Sequence, residues 1–113
     1  MKRAHAVLWL ALAACRSPEP GTGPHVVDRE YARPAGALWS AAVQSVREEG
    51  RGLRSASYDR DGGTLEGDAL RVSVKPAREA RGRVSIRVGP DEEARARRLH
   101  DRIAEILEAG GRP

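Results

Sequence analysis

The chain has no phenylalanine, a single cysteine, two tryptophans and two tyrosines among 113 residues. A lone cysteine excludes an internal disulfide and a zinc centre built from several thiolates. The histidines stand far apart at His5, His25 and His100, so none shares a metal with another at i, i+4 spacing. No glycine-rich phosphate loop follows a strand-like run, and there is no G-x-S-x-G elbow. Ser40, His100 and Asp101 supply the letters of a triad, but neighbouring helical positions point about 100° apart. No catalytic residue, metal ligand or cofactor site is expected. Long apolar runs are also missing: the longest, Ala4 to Ala14 with His5 inside it, is shorter than the about 20 residues a bilayer core demands. The length admits one domain, and 40% hydrophobic with 32% charged residues is ordinary for a folded one. That excludes a large α/β enzyme and a wholly disordered chain.

What is present begins with Met1-Lys2-Arg3 and the short apolar run. A basic start, an apolar stretch and small residues at its end describe a secretory signal. Its end, Leu12-Ala13-Ala14-Cys15, resembles the bacterial lipobox, in which a leucine and two small residues precede a cysteine that is lipidated. The resemblance implies cleavage between Ala14 and Cys15, a diacylglycerol thioether on the Cys15 sulfur, and acylation of the new amino group by a fatty acid such as palmitate. The chain would then be a lipoprotein of the bacterial cell envelope, facing the periplasm. Arg16, where an aspartate would favour the inner membrane, inclines the expectation to the outer one. The alternative is an ordinary signal cut after Ala11-Leu12-Ala13, which leaves Cys15 a free thiol.

Processing alters the charge argument. The whole chain carries a formal +4, but residues 1–14 include Lys2 and Arg3, leaving 18 basic against 16 acidic side chains over 99 residues. An excess of +2 gives no ground for a nucleic-acid partner. Residues 15–24 follow, with three prolines and two glycines between Arg16 and Pro24. They form neither helix nor ladder and read as a tether, reaching roughly 30 Å at about 3 Å per residue.

From His25 the period of the apolar residues sets the elements. His25 to Tyr31 alternates as a strand, with Val27, Arg29 and Tyr31 on one face and Val26, Asp28 and Glu30 on the other. Leu38, Ala42 and Val46, with Trp39 and Val43 beside them, predict a helix over 35–49 that ends at Gly50, and Trp39 is expected to be its largest core contributor. Leu53 to Tyr58 and Thr64 to Asp68 read as a hairpin around Asp59-Arg60-Asp61-Gly62-Gly63. Ala69 to Lys75 and Arg83 to Val88 alternate strictly, as in an antiparallel sheet covered on one side. Ala96, Leu99, Ile103, Ile106 and Leu107 predict a final helix opened by Asp91-Glu92-Glu93 and ended by Gly110-Gly111, with Arg95, Arg97, Arg98 and Arg102 mainly off its stripe and His100 on its surface. The expected fold is therefore α+β, order β-α-β-β-β-β-α, with four to five antiparallel strands and two helices on one face. Residues 25–109 form the domain and 110–113 a tail.

The chain resembles a family of small bacterial lipoproteins of unknown function. The likeness rests on Cys15, Tyr31 to Gly50 with Leu38-Trp39 opening the helix, Gly62-Gly63-Thr64-Leu65-Glu66, and Gly82 to Gly89 ahead of a final amphipathic helix. It brings no catalytic residues. The element order is also similar to the helix-grip arrangement of some outer-membrane assembly lipoproteins and small lipid-binding domains, and fold alone does not settle function.

Two further patterns bear on sites. Asp59-Arg60-Asp61 resembles the start of a calcium loop, yet Gly63 and Leu70 stand where the third ligand and the closing glutamate belong. The wet faces of the two clearest strands carry Arg71, Ser73 and Lys75 and Arg83, Ser85 and Arg87. If the strands pair, Arg71, Lys75, Arg83 and Arg87 make a basic patch suited to lipid phosphates, lipopolysaccharide or peptidoglycan carboxylates, offset by Glu66 and Asp68 on the same face. The expected function is a lipid-anchored, non-enzymatic interaction or accessory module acting on an envelope protein or polymer. The alternative is a domain that binds a lipid or other apolar ligand between sheet and helices, which needs a cavity of at least about 300 Å³.

Overall fold

A computed structural model of the protein describes residues 23–110. The expected signal sequence, the expected cleavage position Ala14, Cys15, the expected tether up to residue 22 and the expected tail from residue 111 lie outside the described residues. The elements run β1 (His25–Tyr31), α1 (Ala35–Glu49), β2 (Leu53–Asp59), β3 (Gly62–Gly67), β4 (Leu70–Pro76), β5 (Gly82–Val88) and α2 (Glu93–Gly110). The sheet has five antiparallel strands in the order β1-β5-β4-β3-β2, so the most regular strands, β4 and β5, stand at its centre.

That placement follows from the side chains. In β4 and β5, Val72, Val74, Val84 and Ile86 are at most 1% exposed while the polar residues between them face outward. The buried face receives both helices, with Leu38 and Ala42 of α1 and Leu99 and Ile103 of α2 closing over Leu65 and Ile86. Gly50 takes the left-handed conformation (φ 72°) that stops α1, and its N–H donates to the Arg47 carbonyl at 3.1 Å. The helices are tied at their outer edge by Arg102, whose Nε donates to Glu48 at 2.8 Å and holds that carboxyl down at about 2.

Four sequence expectations are corrected by the packing. Trp39 is only partly buried; it stacks on Tyr58 of edge strand β2 at 5.0 Å, above Gly63, while Ala41 and Ser45 occupy the core-facing side of α1. An added Cβ on Gly63 would lie 2.6 Å from the Trp39 ring, so the indole rests on bare backbone at the sheet margin. Gly62 and Gly63 accordingly belong to β3, and the hairpin turn shortens to Arg60-Asp61, with the Asp61 N–H donating to the Asp59 carboxylate at 2.8 Å.

The final helix holds the other two corrections. Arg95 and His100 are not surface residues: they are 3% and 0% exposed. The buried stripe of α2 is Arg95, Ala96, Leu99, His100 and Ile103, with Ile106 and Leu107 only partly covered.

Candidate functional site

The face of the sheet away from the helices is uncovered. Strand register sets Arg71 directly opposite Arg87 and Lys75 directly opposite Arg83. Facing residues on adjacent strands stand about 5 Å apart, and the two pairs are separated by four residues, about 13 Å, along the strands. Between them Ser73 faces Ser85, and the same row continues through Thr64 and Ser57 on one side and ends at Asp28 on the other. A strip of small hydroxyls thus crosses the sheet between two pairs of like charges.

The carboxylates lie on the flanking strands. Glu66 of β3 accepts from Arg71 Nη2 at 3.1 Å. Glu30 of β1 is in register with Arg83 but accepts instead from Arg81 Nε at 3.1 Å. Lys75, Arg83 and Arg87 enter no ion pair among the described residues. Asp68, expected on this face, sits in the β3–β4 turn, and its carbonyl accepts from Arg95 Nη1 at 3.0 Å. Like charges facing each other are unfavourable by a few tenths of a kcal/mol to about 1 kcal/mol per pair, and this sheet holds two such pairs at its centre.

Each pair borders a concavity. Lys75 and Arg83 open onto a cleft of about 650 Å³, whose wall is the β4–β5 turn with Arg78, Glu79 and Arg81. In that turn the Arg81 N–H donates to the Arg78 carbonyl at 2.9 Å, and the central residues Glu79 and Ala80 have φ of 43° and 50°. Two left-handed centres make the tight I′ hairpin geometry usually supplied by Asn-Gly. For side chains with a Cβ this costs of order 1 kcal/mol each. At the opposite end, Arg71 and Arg87 line a cleft of about 330 Å³ together with Pro24 and Gly89. Pro24 closes the tether, so this end is the one beside which the chain enters the domain.

Two polar clusters that the sequence reading missed lie on the covered side. The Tyr31 hydroxyl is 2.7 Å from His100 Nδ1, and His100 Nε2 is 2.7 Å from the Val27 carbonyl. A carbonyl only accepts, so Nε2 carries the ring proton and Nδ1 accepts from Tyr31. Burial pushes the imidazole below its ordinary range, against the pull of the Val27 carbonyl, and pushes the Tyr31 phenol up to about 12. The second cluster centres on Arg95, whose Nε and Nη2 fork onto Glu49 at 3.0 and 2.8 Å while Nη1 reaches Glu92 and the Asp68 carbonyl, both at 3.0 Å. Glu49 and the paired Glu92 hold the guanidinium charged against the cost of burial. Both clusters are well hydrogen-bonded, and both join α2 to another element. They brace the fold. The signal for them was position: Arg95 and His100 occupy the two vacant places in an i, i+1, i+4, i+5, i+8 stripe with Ala96, Leu99 and Ile103.

The remaining candidates do not assemble. Ser40 is exposed on α1 while His100 is buried against β1. Asp59 is engaged in its turn, and among the described residues no three His, Cys, Asp or Glu side chains group as a metal site. The space between sheet and helices that an apolar ligand would need is filled: Leu38, Leu65, Val74, Ile86, Leu99 and Ile103 are 0–4% exposed, whereas a chamber for a ligand would leave its walls open to a water-sized probe. Comparison with known protein families and with curated proteins finds no match for the chain.

Proposed function

We propose that the protein is a lipid-anchored, non-enzymatic module of the bacterial cell envelope, held to a membrane by Cys15 and recruiting an anionic partner on the open face of its sheet. The observation that carries this reading is the register of β4 and β5, which sets Arg71 against Arg87 and Lys75 against Arg83. Arg71 keeps Glu66, but Lys75, Arg83 and Arg87 enter no ion pair among the described residues, and such cations gain most when a ligand supplies the missing charge. The anchor rests on Leu12-Ala13-Ala14-Cys15, and the tether from Arg16 to Pro24 gives the domain reach from the lipid; Arg16 favours the outer membrane. The formal +2 and the lack of an aromatic on the open face speak against nucleic acid, for which stacking platforms and broad positive surfaces are the rule.

Two measurements test this. Fractionation is expected to find the intact chain in the membrane and the Cys15→Ser chain released; a Cys15→Ser chain that stays in the membrane overturns the anchor. Crosslinking in intact membranes followed by mass spectrometry is expected to capture a partner that the Lys75→Gln/Arg83→Gln double variant loses; undiminished capture by that variant overturns the role of the face.

A further inference from the structure

We propose that the occupant of the open face is an anionic glycan lying along β4 and β5, with acidic groups about 13 Å apart seated on the Arg71–Arg87 and Lys75–Arg83 pairs and sugar hydroxyls over the serine row between them. This rests on the open face being the binding surface and adds the class and orientation of the ligand.

The charge pattern chooses the shape of the ligand. The cations stand on the two central strands, while Asp28 and Glu30 on β1 and Glu66 on β3 flank them. A narrow polyanion running parallel to the strands meets the cations first, and Glu30 and Glu66 beside it are already engaged by Arg81 and Arg71. A broad anionic surface such as a lipid headgroup plane would press against both, so its attraction to the cations would be offset by repulsion at the flanks. Spacing and chemistry narrow the class further. The cations come in two groups with uncharged hydroxyls between them, which suits a ligand whose acidic groups are separated by sugar rings rather than one charged at every unit. Ser73, Ser85 and Thr64 each offer a donor and acceptors at the middle of the track, the match a sugar hydroxyl requires. No aromatic ring lies on this row, so a neutral sugar has nothing to stack on and the acidic groups must supply the affinity. The two clefts give those groups their seats. The larger is lined by four cations, Lys75, Arg78, Arg81 and Arg83, against two carboxylates, Glu30 and Glu79, and is walled by the strained Arg78–Arg81 turn. In the smaller, Arg87 enters no ion pair among the described residues and Arg71 keeps Glu66.

The test is calorimetric titration of the purified full-length chain in detergent with a disaccharide phosphorylated at both ends, the same sugar with one phosphate, the unphosphorylated sugar, and vesicles of phosphatidylglycerol. The doubly phosphorylated sugar is expected to bind, the singly phosphorylated one about tenfold or more weaker, and the neutral one not at all, since each charge-assisted contact is worth at least about a factor of ten. Arg71→Gln/Arg87→Gln and Lys75→Gln/Arg83→Gln are each expected to bring the doubly phosphorylated sugar down to the affinity of the single one. Circular dichroism of each variant, expected to match the parent chain, separates loss of binding from loss of fold. The proposal is overturned if the two phosphorylated sugars bind equally, if either pair can be removed without loss, or if only the vesicles bind. None of these outcomes touches the anchor at Cys15, which fractionation decides separately.

Discussion

The Tyr31 hydroxyl stands 2.7 Å from His100 Nδ1 and bonds the first strand to the last helix across 69 positions of sequence. Because burial keeps His100 neutral in the fold, the unfolded chain takes up its proton first as the pH falls. Stability is therefore expected to be full above the ordinary imidazole value of 6.5 and to decline as the pH drops below it. Arg29 adds to the depression, while Asp101 and Asp28 oppose it. Melting temperatures recorded between about pH 5 and 8 should show this slope, and His100→Gln should flatten it. An equal slope in both proteins would refute the assignment.

Burial of the same hydroxyl predicts an alkaline limit. Tyr31 ionises at about 12 in the fold against 10.0 when free, so the unfolded chain loses that proton first and stability falls as the pH climbs past 10. Tyr31→Phe should remove this dependence and, by leaving a buried nitrogen without its donor, cost about 1–3 kcal/mol at neutral pH in urea unfolding.

Arg95→Met is expected to destabilise the fold although it conserves the side chain's bulk. It fills the space but strands Glu49, which is 20% exposed, and the Asp68 carbonyl. A loss of about 2–3 kcal/mol is expected, below the about 3–5 kcal/mol seen when a fully buried pair is broken. Arg95→Lys should recover only part of it, because an ammonium cannot make the two-pronged contact. Urea midpoints measure both.

Gly63→Ala should disturb a reporter that the sequence itself provides. Trp39 is the only tryptophan after residue 9, so in a processed chain the intrinsic emission is that of Trp39 alone. The new methyl group would meet the indole at 2.6 Å and Tyr58 at 2.8 Å. A red-shifted emission and a loss of about 1–3 kcal/mol are expected from the displaced stack. Unchanged emission would mean the ring is not seated there.

Lys75→Glu separates stability from recognition. It turns an opposed like-charge pair into an attractive one, so urea unfolding should show a gain of about 0.2–1 kcal/mol. Partner capture in membranes should fall at the same time. A variant that loses stability would show that Lys75 and Arg83 are not set against each other.

The sequence disclosed the elements because most of them show an uninterrupted period. Leu70 to Lys75 and Arg83 to Val88 alternate without error, and the structure places them side by side at the centre of the sheet, which brings Arg71, Lys75, Arg83 and Arg87 onto one face as expected. The limits came where size or polarity misled. Trp39 has the largest side chain in the domain, but it overlies Gly63 on a strand next to the sheet edge, where there is no depth to bury it. Polarity alone puts Arg95 and His100 outside, whereas their burial depends mainly on partners from β1, α1 and the β3–β4 turn, segments distant in sequence. The left-handed Glu79-Ala80 pair was equally invisible, since nothing in those two residue types favours such a turn.

The position of β1 has a mechanical consequence. The chain enters the domain at His25, on an edge strand joined to the sheet only through β5. A load applied between the N-terminal segment and an object gripped near Lys75 and Arg83 runs parallel to the strands, because His25 and Tyr31 lie at opposite ends of the ladder and Tyr31 faces Gly82. The seven register pairs from His25–Val88 to Tyr31–Gly82 then bear it together in shear rather than parting one after another, and the Arg29–Asp101 contact adds a lateral stay to the helix. A domain stretched between a lipid and a polymer would be loaded along its strongest axis.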